Sequence, residues 1–149
     1  MANRTFNRTQ AADKEVKHIF GYFDVGGTGA PTLNEALSVG VKSVARTSAG
    51  KYTITLGAPG GVTDKYSKLL MFSCILEDDT HHGANGGVGF QLDTDSTSGS
   101  VSSNLKINSG LVHFMALQEN GQSAEIKSGD AVRFHIVVKN SNQPGVGVS

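Results

Sequence analysis

The most chemical-looking stretch of the sequence is Glu77-Asp78-Asp79-Thr80-His81-His82, a run of carboxylates and imidazoles. Such groups suit a divalent metal, and a loop can converge several of them. Adjacent histidines in a strand point to opposite sides, however, and the chain has neither an HExxH pair nor a second spaced cluster. A hydrophilic loop following a strand is the simpler reading. Asp93 and Asp95 would share a strand face, and paired carboxylates do acid–base work when their surroundings separate their pKa values. The stretch from Thr94 to Ser100 reads as exposed, with little apolar material to raise either group. His113 lies between Val112 and Phe114, and His135 between Phe134 and Ile136, so each is expected on the solvent side of a strand or in a polar patch at a subunit contact. A general base needs a neighbouring nucleophile or acid, and the sequence alone pairs neither histidine with one.

The glycine clusters Gly26-Gly27-Thr28-Gly29 and Gly57-Ala58-Pro59-Gly60-Gly61 lack the GxxxxGK[ST] order and do not link a strand to a helix N-terminus, so they read as turns. The single cysteine, Cys74, sits in the apolar run Leu69–Leu76; a buried thiol is expected there, since no second cysteine can join it in a disulfide or a metal site. The expectation is therefore a non-enzyme with no catalytic residues, no cofactor and no metal site.

Short extended segments must carry these residues. Tyr52, Ile54 and Leu56 alternate with Lys51, Thr53 and Thr55, the period of two expected when one face meets a core and the other water. Val39 to Arg46 precedes them, and the link Thr47–Gly50 predicts a hairpin. His18 to Phe23, Gly87 to Leu92, Val101 to Ile107, Leu111 to Leu117 and Ala131 to Lys139 are further strands. Lys68 to Leu76, apolar at nearly every position, predicts a central strand covered on both faces, one by the core and the other by a second subunit. Glycine-bearing polar turns separate them. The fold class is all-β, a jelly-roll or sandwich-like antiparallel domain with a short N-terminal arm or helix. Residues 1–18 form the arm, with helix formers from Gln10 to Lys17; residues 19–140 form the β domain, and 141–149 a flexible tail.

The 149 residues suit one domain. Thirteen basic residues balance thirteen acidic ones, and charged residues make up 17% of the chain. This balance gives no long-range attraction to nucleic acid or an anionic membrane. No segment approaches the roughly 18 apolar residues of a membrane-spanning helix, and no leading apolar stretch of signal-peptide length is present, so synthesis in the cytoplasm is expected. Apolar residues on both parities of Leu69–Leu76 and Leu111–Leu117 exceed what a two-layer fold must bury, which points to burial between subunits.

From Thr5-Phe6-Asn7-Arg8 through Gly29-Ala30-Pro31-Thr32-Leu33, the run Gly40–Leu56, Asp64–Phe72 and Val138-Lys139-Asn140-Ser141, the sequence resembles small virion structural proteins of tailed bacteriophages, of the capsid cement or decoration type. The stretches Asp79–Gly86 and Asp93–Ser100 depart from the plainer turns of that family. The resemblance implies a homotrimer on the capsid surface, made in the host cytoplasm, that bridges and stabilises major capsid protein subunits. Arg4, Phe6, Arg8 and Tyr52 are the expected partner-binding anchors, because aromatics and Arg concentrate in interface centres. Two alternatives stand beside it. One is a tail, collar or fibre-associated module that binds carbohydrate through an exposed loop; the other is a metal-dependent β-jelly-roll enzyme using His81 or His82.

Overall fold

In a pleated chain alternate side chains face opposite ways, so each amphipathic segment can cover half of a core. A computed structural model describes residues 16–64, 66, 68–77, 88–93, 110–118 and 120–139. In order, the strands are β1 (Val16–Asp24), β2 (Thr32–Leu33), β3 (Val41–Ser48), β4 (Lys51–Leu56), β5 (Lys68–Glu77), β6 (Gly89–Leu92), β7 (Leu111–Leu117) and β8 (Ala131–Lys139). They form two antiparallel sheets, β2-β1-β8-β5 and β3-β4-β7-β6, called sheets I and II below. A three-residue 3-10 turn, Glu35–Leu37, is the one helical element among the described residues. The Asn34 side chain caps it by accepting from the Leu37 amide at 3.3 Å.

The all-β expectation holds in its sandwich form, with the two sheets stacked around one cluster of rings. Phe114 on β7 lies 5.5 Å from Tyr52 on β4, 6.3 Å from Phe23 on β1 and 5.2 Å from Phe72 on β5, measured between ring centroids. Phe23 and Phe114 are fully buried, as are Ile19, Ile54, Val112, Val132 and Ile136 around them. Each such side chain contributes about 1.5–3 kcal/mol through the apolar surface it removes from water.

Strands β4, β7 and β8 match the segments read from the sequence. Three differences have physical causes. Val16 and Lys17, assigned by local pattern to a helical arm, belong to β1, where they pair with Lys139 and Val138; ladder pairing outweighs the weak propensity of a two-turn helix. The rest of the arm, the strand Val101–Ile107 and the tail lie outside the described residues. The β3–β4 turn is only Ala49-Gly50, because Thr47 and Ser48 continue β3 and Ser48 pairs with Lys51. Gly50 takes φ 68°, and a Cβ there would lie 2.3 Å from the Ala124 carbonyl oxygen. Finally, β5 is not central: it ends sheet I and, among the described strands, pairs only with β8.

One cross-strand fit locks β1 to β8. Gly21 is paired with Phe134, whose ring lies across the glycine, and a Cβ at Gly21 would fall 2.0 Å from Phe134 Cζ. Gly21→Ala is therefore expected to lower stability by about 1–3 kcal/mol through overpacking, read as a lower urea midpoint. Phe134→Leu in the same chain should recover part of that loss, a coupling that a double-mutant cycle measures.

Candidate interaction surface

The register of sheet I determines which side chains look away from the core. At one end, Val16, Lys139 and Lys68 form a row across β1, β8 and β5; at the other, Asp24, Ala131 and Glu77 do the same. Between them lie rows of His18, Val137 and Met71, of Phe20, His135 and Ser73, and of Tyr22, Arg133 and Ile75. The middle of this face is apolar and aromatic. Phe20 is 48% exposed, Met71 46%, Ile75 58%, and Leu70, the extra residue at the register shift between Leu69 and Met71, 50%. Leu37 and Val39, which adjoin the β1 edge, are exposed as well, and Val39 bridges Phe20 through two backbone hydrogen bonds of 3.1 and 2.7 Å.

Rings order this face. The His135 imidazole stacks on Phe20 at 4.6 Å and 7° and on His18 at 5.2 Å and 17°. His18 Nδ1 and His135 Nε2 stand 3.0 Å apart, one donating to the other as their tautomers dictate. A shallow depression of ≈ 200 Å³ opens beside them, lined by Phe20, Ser73, Ile75, Arg133, Phe134 and His135. At the acidic end, the Arg133 guanidinium lies 4.7 Å over the Tyr22 ring and donates to Glu77 Oε1 at 3.0 Å. Hydrogen bonding to Glu77 also pushes the Tyr22 phenol above its usual pKa.

The outward side of sheet II is built differently. Thr53 and His113 are cross-strand partners, with Thr53 Oγ1 2.7 Å from His113 Nδ1. Asp93, nearly buried at the end of β6, pairs with Lys51 Nζ at 3.7 Å and accepts His113 into its electrostatic neighbourhood. The sequence reading found no partner for His113; the sheet provides Thr53 from sixty residues away. Both groups rise from paired strands, so their bond is a cross-strand contact that stabilises the ladder. Desolvation lowers the His113 pKa below 6.5, against the opposing pull of Asp93.

Of the expected anchors, Tyr52 is corrected: it is 1% exposed, packed among Phe23 and Phe114, and offers no surface to a partner. Its position in the alternating run Lys51–Leu56 already placed it on the core side. Its hydroxyl has no hydrogen-bond partner among the described residues, and burial pushes its pKa to about 12. Arg4, Phe6 and Arg8 lie outside the described residues, as do Asp78, Asp79, His81, His82 and Asp95. Among the described residues no group of three or more potential metal ligands is present, and no helix is long and apolar enough to cross a membrane. Cys74, half-buried against the core, has a thiol that burial holds well above its ordinary pKa. The residues that sequence reasoning missed are His18 and Phe20. Their signal was aromatic character on both parities of β1, since Phe20 and Tyr22 alternate with Ile19 and Phe23. No protein-family model, curated protein or solved structure matches this chain.

The lowered His113 pKa predicts a pH dependence. A neutral imidazole favoured by folding contributes stability that is complete above 6.5 and is lost as pH falls below it, because the unfolded chain takes up the proton first. Urea midpoints at about pH 7.5 and about pH 5.5 should differ less in His113→Gln than in the parent chain, the difference between the two proteins isolating this group from the other histidines.

Proposed function

We propose that this chain is a non-enzymatic structural protein that decorates the outside of a phage head, where it bridges and stabilises major capsid subunits. The observation that carries the binding role is the apolar, ring-bearing outer face of sheet I. Contiguous apolar surface rimmed by charge marks a place where another molecule sits, because leaving it in water forgoes favourable burial. The capsid setting comes from the resemblance of the sequence to small phage virion proteins. The mechanism is linkage: a protein that binds only the assembled lattice stabilises it by about 2.7 kcal/mol per site at a free concentration of a hundred times Kd. In this reading the N-terminal segment reaches the shell, with Phe6 as its apolar anchor and Arg4 and Arg8 as its donors.

The reading is tested on shells assembled from the major capsid protein of the same phage. Added chain is expected to appear as regular exterior density by cryo-electron microscopy and to raise the temperature at which shells break. A triple change of Arg4, Phe6 and Arg8 to Ala should weaken shell binding roughly tenfold or more, with the melting temperature of the β domain unchanged. Absence of binding to shells, or localisation of the chain to the tail, would overturn the assignment.

A further inference from the structure

We infer that the outer face of sheet I is the contact between two copies of this chain, related by a two-fold axis that lies in the contact plane and runs across the strands. The inference rests on reading the chain as a component of an assembly, and it names the partner of that face, a two-fold pair in place of the homotrimer that the sequence resemblance implies.

The charge pattern selects a second copy. Lys68 and Lys139 stand in the row at one end of the face, and Asp24 and Glu77 in the row at the other. A two-fold axis across the strands reverses strand direction while keeping each strand over its counterpart. Lys68 of one copy then lies over Glu77 of the other, whose second flank is held by its own chain's Arg133, and Lys139 lies over the span between Asp24 and Glu77. Like charges would instead gather at one end if copies were arranged with their strands parallel about a common axis, and that arrangement costs energy. Sheets packed face to face keep their strands within about 30° of each other, so the end rows stay in reach of their opposites.

The centre of the face is fitted to the same symmetry. Phe20 and His135 lie in the middle row, so the axis brings the ring stack and its ≈ 200 Å³ depression onto their own images. Large aromatics at a desolvated centre with charged groups at the rim is the anatomy of a specific contact. The outer side of sheet II, where the bonded Thr53 and His113 lie beside half-buried Leu111, Met115 and Leu117, is left for solvent or for other partners.

Sedimentation of the intact chain at micromolar concentration is expected to give twice the chain mass. Ile75→Lys should raise the dimer Kd roughly tenfold or more, with an unchanged circular dichroism spectrum and a melting temperature lowered only at concentrations where the parent chain is dimeric. Lys68→Glu and Glu77→Lys should each weaken the dimer, and both together in one chain should bind more tightly than either alone, the Arg133–Glu77 pair being lost equally in Glu77→Lys and in the double variant. Those residues sit at opposite ends of one strand, roughly 30 Å apart at 3.3 Å per residue, so that gain requires pairing between copies. A monomer would overturn the inference, whichever segment then covers the face. A trimer, or a double variant no tighter than the single ones, would overturn the two-fold arrangement. A dimer that fails to bind capsid shells would remove the proposed function and leave this contact standing, while a monomer that binds shells would do the reverse.

Discussion

The ring cluster around Phe114 is the constraint on which the other features rest. Phe23 and Phe72 reach it from sheet I, and Tyr52 and Phe90 from sheet II. Because the pleat alternates strictly, committing Phe23 and Phe134 to this cluster forces Tyr22, Phe20, Arg133 and His135 outward. The outer face of sheet I is thus a direct geometric consequence of the core register. Its apolar content is not, since polar side chains at the same positions would leave the core intact. Water-facing aromatics there mark a second task beyond folding.

The two sheets divide that labour. Sheet II closes its outward side with hydrogen bonds and ion pairs of its own, Thr53 with His113 and Lys51 with Asp93. It also holds the loop after β7 in place through Arg46, which donates to both carboxylate oxygens of Glu125 at 2.9 and 2.6 Å. Partly buried bidentate pairs of this kind are directional and hold register. Sheet I has the Arg133–Glu77 ion pair towards the acidic end of its face and rings in the middle.

Much of this was legible in the sequence where one parity was apolar and the other polar. Lys51–Leu56 and Ala131–Lys139 are such runs, and their limits and facing agree with the sandwich. The pattern was silent where both parities were apolar: Lys68–Leu76 reads as a central strand by composition, but the strand that contains it, β5, lies at the end of its sheet. The two-residue β2 was invisible because two residues define no period. The choice of Tyr52 as an anchor followed residue type over parity, and parity was the better guide. His18, Phe20 and His135 could not be joined from sequence, since their meeting depends on the pairing of β1 with β8 across 117 positions.

That long separation bears on how the chain acquires its shape during synthesis. β1 leaves the ribosome well before the strand that flanks it, β8. Until β8 emerges, β1 has the two residues of β2 and the Phe20–Val39 bridge to hold it, and β5 has no described neighbour within its sheet. Hairpin β3–β4 can zip as soon as Leu56 emerges, whereas closing so wide a loop is entropically slow and must await β8. One layer of the sandwich can therefore begin to form while the other still waits for its third member, so the ring-bearing face comes into being after the hairpin that opposes it.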